Sequence, residues 1–151
     1  MLLENEIMKQ LEEIFKKYDF SKRKSTPEIE IELVESYFNI KLPKDYRFYL
    51  ENYIEFENFI NVEYLKLWPF EDLVENNKSY EIQKYLPYIV AIGSNGAGEM
   101  IGIEFQENQP NSVILTPFIL EEENNVKIGT NFTDFLIRLD QGKCWFDSNS
   151  I

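Results

Sequence analysis

Tyr88-Ile89-Val90-Ala91-Ile92-Gly93-Ser94-Asn95-Gly96-Ala97-Gly98-Glu99-Met100-Ile101-Gly102-Ile103-Glu104-Phe105 is the stretch that decides the fold class. Its first five residues form a continuous apolar run, as a central strand buried on both faces requires. Gly93 to Gly98 reads as a turn. Glu99 to Phe105 then alternates as a return strand, with Ile101, Ile103 and Phe105 on one face. A phosphate-binding glycine loop would have to lead into a helix, whose first amides meet the anion. This loop leads into a strand, and no Lys or Arg lies between Lys84 and Lys127. A hairpin whose glycines take positive φ is the reading that remains.

Outward from the hairpin, Val62 to Trp68 alternates as a strand, and Pro69 opens a short acidic helix, Phe70 to Glu75. On the other side, Ser112 to Pro117 makes a strand and Glu121 to Asn125 a polar connection. Val126 to Ile128 is a short edge strand. Thr130 or Asn131 caps a last helix that turns Phe132, Phe135, Leu136 and Leu139 inward and stops at Gly142.

Three helices precede the strands. The first, about Glu4 to Tyr18, carries Ile7, Leu11, Ile14 and Tyr18 on one stripe, with Met8 and Phe15 beside it. The basic loop Lys22-Arg23-Lys24 ends it. Thr26-Pro27 begins the second, which is expected to turn Ile29, Leu33, Val34 and Tyr37 inward and to stop at a left-handed Asn39. Leu42-Pro43 opens the third, with Tyr46, Tyr49, Leu50 and Tyr53 at helical spacing. Helices, then a meander of strands, then a closing helix predict a single α+β domain over 1–151, with a mainly antiparallel sheet.

Composition narrows the chemistry. The 151 residues include 44% hydrophobic and 15% aromatic side chains, with 12 Phe and 9 Tyr, so a core built on rings is expected. There is no histidine, which excludes Ser-His-Asp and Cys-His catalysis and His-ligated metals within this chain. The single cysteine, Cys144, excludes an internal disulfide and is expected to be a buried, inert thiol. No apolar run reaches membrane-spanning length. Met1-Leu2-Leu3-Glu4-Asn5-Glu6 lacks the basic start and apolar stretch of a signal peptide, so a cytoplasmic location is expected.

The formal net charge is −12, unevenly spread. Residues 1–50 hold nine Lys/Arg against ten Asp/Glu, and residues 51–151 hold six against seventeen. A surface of that kind repels nucleic acid and anionic lipid and attracts basic proteins, although acidity also serves solubility by itself.

Four stretches together resemble the SUKH superfamily, the group that contains the fungal Smi/Knr cell-wall regulator and many bacterial toxin-immunity proteins. They are Ile31 to Tyr53, with Glu35 before Phe38 and the Leu42-Pro43-x-Asp45-Tyr46 helix opening; Leu67-Trp68-Pro69-Phe70-Glu71-Asp72-Leu73; Ile89 to Phe105; and Val113 through the Asn131-Phe132-x-x-Phe135-Leu136 helix. They span roughly residues 26–140, and their order carries the likeness more than any one motif. The family commonly has Asn-Gly-Gly after its third helix, where this chain has Asn52-Tyr53-Ile54-Glu55, so that turn differs. The resemblance implies an α+β fold, a role in binding proteins, and no catalysis or cofactor.

Candidate partner-binding residues follow from chemistry and placement. Trp68 at the edge of the acidic helix could anchor a partner, with core packing as its other reading. Glu71, Asp72 and Glu75 form the helix's acidic face, and the first two also complement its dipole. Asn95 and Glu99 sit on the tip of the central hairpin, from which Glu99 is expected to face out. Glu71-Asp72, Glu104 with Glu107, and Glu121-Glu122-Glu123 show neither the spacing of a calcium loop nor a hydrolase pair, and no catalytic or metal role is assigned. The expected function is immunity: occlusion of a basic toxin's active site, a nuclease being the natural fit. A scaffold or signalling adaptor and a carboxylate-based metal-dependent enzyme are the alternatives.

Overall fold

The computed structural model describes residues 2–121 and 124–146. In chain order its elements are α1 (Leu2–Lys17), α2 (Glu28–Phe38), α3 (Lys44–Asn52), β1 (Phe56–Ile60), β2 (Glu63–Leu67), α4 (Phe70–Ser79), α5 (Ile82–Tyr85), β3 (Ile89–Ser94), β4 (Glu99–Glu104), β5 (Val113–Pro117), β6 (Val126–Gly129) and α6 (Phe132–Asp140). The strands form one sheet in the order β1-β2-β3-β4-β5-β6, every neighbouring pair antiparallel. The α+β meander with N-terminal helices and a closing helix is therefore as the sequence predicts. Helices α4 and α5 interrupt it between β2 and β3 and pack on β3, while α6 packs on β6, α1 and α3.

The middle of the sheet is covered on both faces. All of Ile89–Gly93, Met100–Ile103 and Val113–Thr116 are buried, which is why these strands read as unbroken apolar runs. Rings build the core beside it. Phe20 stacks on Phe56 with centroids 4.0 Å apart, Phe15 lies 4.4 Å from Tyr53, and Tyr46 meets Phe132 edge-on at 5.2 Å. Asn77, fully buried on α4, accepts the Ala91 amide and donates to the Ala91 carbonyl of β3 (2.9 and 3.0 Å), and Gln83 of α5 donates to its oxygen. Strand β2 pairs with β3 only at Ser94 and Gly93, and one further bond runs from the Trp68 amide to the Ile92 carbonyl. Beyond that point the Asn77 amide stands in for a neighbouring strand.

Several expectations need correction. Helix α2 buries Ile31 and Val34 and leaves Ile29, Leu33 and Tyr37 at 73%, 64% and 49% exposure. Its sequence carries two apolar stripes, and the one that meets the core is the Ile31–Val34–Phe38 side. Cys144 is exposed, not buried. After Gly142 (φ +83) the chain tucks Trp145 against Phe135, with the Trp145 amide held by Glu63 at 2.7 Å, so its neighbours Cys144 and Phe146 point away. Strand β1, helix α5 and the last turn of α4 are additions to the predicted elements. In place of a glycine turn after α3, Tyr53 is extended and pairs with Lys22, and Ile54 donates to Ser21.

Helices α1 and α6 are joined by charge. Asp140 of α6 accepts Lys17 and the Tyr18 hydroxyl of the α1 end (2.8 and 2.6 Å), and Asp134 accepts Arg138 and the Thr130 amide. Partial burial works to raise both carboxyls, but these partners outweigh it and hold them below the usual aspartate range. Their stabilisation is complete above the unfolded aspartate pKa of about 3.9 and is lost as pH falls through the lower folded values. Urea midpoints should therefore fall as pH drops below about 4, and an Asp140→Asn variant should show a shallower fall.

Candidate protein-binding site

The turn between β3 and β4 is tied by its own residues. The Asn95 side-chain oxygen accepts the amides of Ala97 and Glu99 (2.9 and 3.2 Å), and its nitrogen donates to the Glu99 carboxylate at 2.8 Å. Ser94 accepts the Gly96 amide. Gly96 and Gly98 have φ of +74° and +90°, which the tight path requires. The Tyr64 ring of β2 lies where a Gly96 side chain would go, 2.9 Å from an added Cβ. Asn95 is 7% exposed and spends its amide inside the loop. Glu99 is half-buried with one oxygen turned back to Asn95, so it does not simply face out. The pair makes a rigid tip with one carboxylate oxygen directed at the loop.

Trp68 is 6% exposed and lies in the core, the packing role of its two readings. The acids beyond it are differently placed. Glu71, Asp72 and Glu75 are exposed on α4, whose first turn holds the first two. Arg23 donates to both Glu71 oxygens, to the Leu50 carbonyl at the end of α3, and lies 4.6 Å over the Phe70 ring. Partial burial works to raise the Glu71 carboxyl, and the Arg23 bonds and charge more than reverse it, so it stays ionised. The basic loop of the sequence is thus a brace between α3 and α4. Among the described residues no ion pair holds Asp72 or Glu75. Glu122 and Glu123 of the acidic run lie outside the described residues.

The remaining motif residues also have local work. Glu35 accepts the Leu42 amide with one oxygen and Arg47 with the other, both at 2.8 Å, so it fixes the start of α3 against α2. Asp45 accepts the amide and hydroxyl of Thr133 (2.9 and 2.8 Å) and the Tyr46 amide, joining the first turns of α3 and α6. Residues 26–138 match the SMI1/KNR4 family (SUKH-1). The chain belongs to this family. The match covers the strands, α2 to α5 and most of α6, and it contains every residue of the hairpin tip and of the α4 acids. In this member of the SMI1/KNR4 family, Glu35, Asp45 and Trp68 hold helices and core together, whereas Glu71, Asp72 and Glu75 of α4 are exposed. No curated protein gives a significant match to the chain.

No three acidic or cysteine side chains come together as metal ligands among the described residues. An open depression of about 550 Å³ between α2 and α3 is walled by Glu35 and Arg47, which satisfy each other. No described helix is long and apolar enough to cross a membrane. Sequence reasoning missed Asn77 and Arg23 as organising residues. An asparagine inside a helix and one arginine in a basic loop are ordinary in sequence, and only their distant partners distinguish them.

Proposed function

We propose that this SMI1/KNR4-family chain is an immunity protein that binds a basic toxin and covers its active site without catalysis of its own. The observation that carries the reading is the unpaired, exposed acid of α4, Asp72 and Glu75, in a segment of seventeen Asp/Glu against six Lys/Arg. A cleft that handles nucleic acid is basic, and an acidic surface held on rigid elements can occupy it in place of the phosphate backbone. The Asn95–Glu99 tip supplies a second preorganised contact, since its bonds are formed before any partner arrives.

The test is stopped-flow association with a cognate toxin domain, sought in the neighbouring reading frame, across a salt series. An Asp72→Lys/Glu75→Lys variant should associate about tenfold more slowly at low salt, with a smaller change in dissociation. The difference should shrink as salt shortens the Debye length to about 8 Å. Glu12→Ala on α1 is the control and should leave both rates alone. Rates indifferent to salt and to charge reversal would sink the reading. Capture of host proteins with no effect on a toxin would favour the adaptor role instead.

A further inference from the structure

Helix α2 is apolar on two sides and buries only one. At about 100° per residue, Ile29, Leu33 and Tyr37 form a ridge roughly 130° around the helix from the buried Ile31–Val34–Phe38 side. These three side chains are the 73%, 64% and 49% exposed residues described above. Isolated apolar residues on a surface are ordinary, but three in register along one helix form a continuous stripe, and such stripes mark contact surfaces.

The ridge has acid on both flanks. By the same geometry Glu30 falls on one side of it and Glu28 and Glu32 on the other, and all three are exposed. Residues 25–40 contain four glutamates and no Lys or Arg. The near balance of charge over residues 1–50 therefore hides a segregated patch. Cations approach from outside at two places. The Lys78 ammonium lies 5.8 Å from the Tyr37 ring centroid and closes that end of the stripe. Lys41 and Arg47 share a depression with Glu32, which leaves Glu28 and Glu30 as the open acids of the rims.

We infer that the Ile29–Leu33–Tyr37 ridge is a docking surface for a basic protein segment that presents aliphatic side chains between lysines or arginines. The flanks choose this occupant. A second copy of the chain would set Glu28, Glu30 and Glu32 against their own equivalents, and each copy carries −12. An anionic lipid surface meets the same repulsion. A basic amphipathic segment instead covers the ridge and pairs with both rims. This inference goes beyond the α4 reading, because it concerns another helix and stands whether or not α4 meets a toxin.

The experiment uses the full chain and a synthetic Leu/Lys amphipathic helix as probe, with a Ser/Lys peptide of equal charge beside it. Fluorescence anisotropy should show binding of the Leu/Lys probe and about tenfold weaker binding of the Ser/Lys peptide. The Ile29→Gln/Leu33→Gln variant should lose about tenfold in affinity with its far-ultraviolet circular dichroism unchanged, since both side chains are exposed. Glu30→Lys/Glu32→Lys should weaken binding as well, whereas Asp72→Lys/Glu75→Lys should leave it within about twofold. Equal binding of the two peptides, or indifference to the Gln variant, would overturn the inference. So would sedimentation showing a wild-type dimer that the Gln variant dissolves, or adsorption to anionic vesicles through the ridge.

Discussion

Gly93→Ala is expected to be among the most damaging single-methyl additions this chain can receive, lowering stability by about 3 kcal/mol or more. A Cβ at this position would lie 2.1 Å from the Lys66 carbonyl oxygen and 3.2 Å from the Leu67 Cα, both of them backbone atoms. No rotamer change relieves such a contact, so β2 and β3 must separate where they pair, at Gly93 with Leu67 and Ser94 with Lys66. Gly93 also bounds the β3–β4 register shift, which lies between Ala91 and Gly93. The hairpin is pressed toward β2 there, and glycine is what admits the approach. Gly98→Ala is the comparison, because a Cβ there meets nothing within 4 Å. Its cost comes from positive φ alone and should be about 1 kcal/mol. Urea unfolding of the two variants should separate them clearly. A Gly93→Ala midpoint near that of the wild type would mean that β2 can slide away from β3 at little cost.

Asn77→Ala is expected to cost about 2–5 kcal/mol, because it leaves the Ala91 amide and carbonyl buried without partners and opens a void beside them. The change also releases Gln83, which donates to Asn77 and to the Ile89 carbonyl. The α4–α5 insertion should then loosen from β3, and hydrogen exchange at the Ala91 amide should rise well above that of the rest of the sheet. Asn76→Ala, one residue away and only half-buried, should change stability by no more than about 0.5 kcal/mol. Asn77→Asp makes the test sharper. It keeps an acceptor for the Ala91 amide but loses the donor to the Ala91 carbonyl, and it places a charge in a buried site. It should be as damaging as alanine at neutral pH and less so in acid, where the carboxyl can be protonated. Equal stability of Asn77→Ala and Asn76→Ala would refute the strand-substitute role.

Much of this architecture is written in local pattern. The Tyr46–Tyr49–Leu50 stripe of α3, the Phe132–Phe135–Leu136–Leu139 stripe of α6 and its Asn131 cap each depend on spacing and a single capping residue, while Tyr53, read as the next turn of that stripe, lies just past α3 in extended backbone. The Asn131 oxygen does accept the Asp134 amide, at 2.7 Å. The central hairpin was legible because its strands are buried on both faces. Helix α2 was legible as a helix but not in rotation. Its apolar residues fit two faces equally well, and packing against α3 and α4 decides between them. Strand β1 was missed because an edge strand with Glu57, Asn58 and Phe59 all exposed shows no alternation. At the candidate site, the turn and the acidic helix could be read from composition. The inward hydrogen bonding of Asn95 and the burial of Trp68 depend on neighbours far along the chain, and no local pattern encodes them.

The strand order of the sheet has a kinetic consequence. Each strand pairs with the next one in the chain, so once the β3–β4 hairpin forms, β5 and β6 can be added by closing loops of modest length. The helices that flank the sheet make the opposite demand. Asp140 reaches Lys17 and Tyr18 across more than 120 residues, and Asp45 reaches Thr133 across 88. Contacts of that separation carry the largest entropy cost and gain most when the segments between them are already ordered. The topology therefore favours a chain that zips its sheet by local steps and closes its α1–α6 clasp last. A ribosome releasing the final helix would be supplying the latch to a sheet whose strands have all emerged.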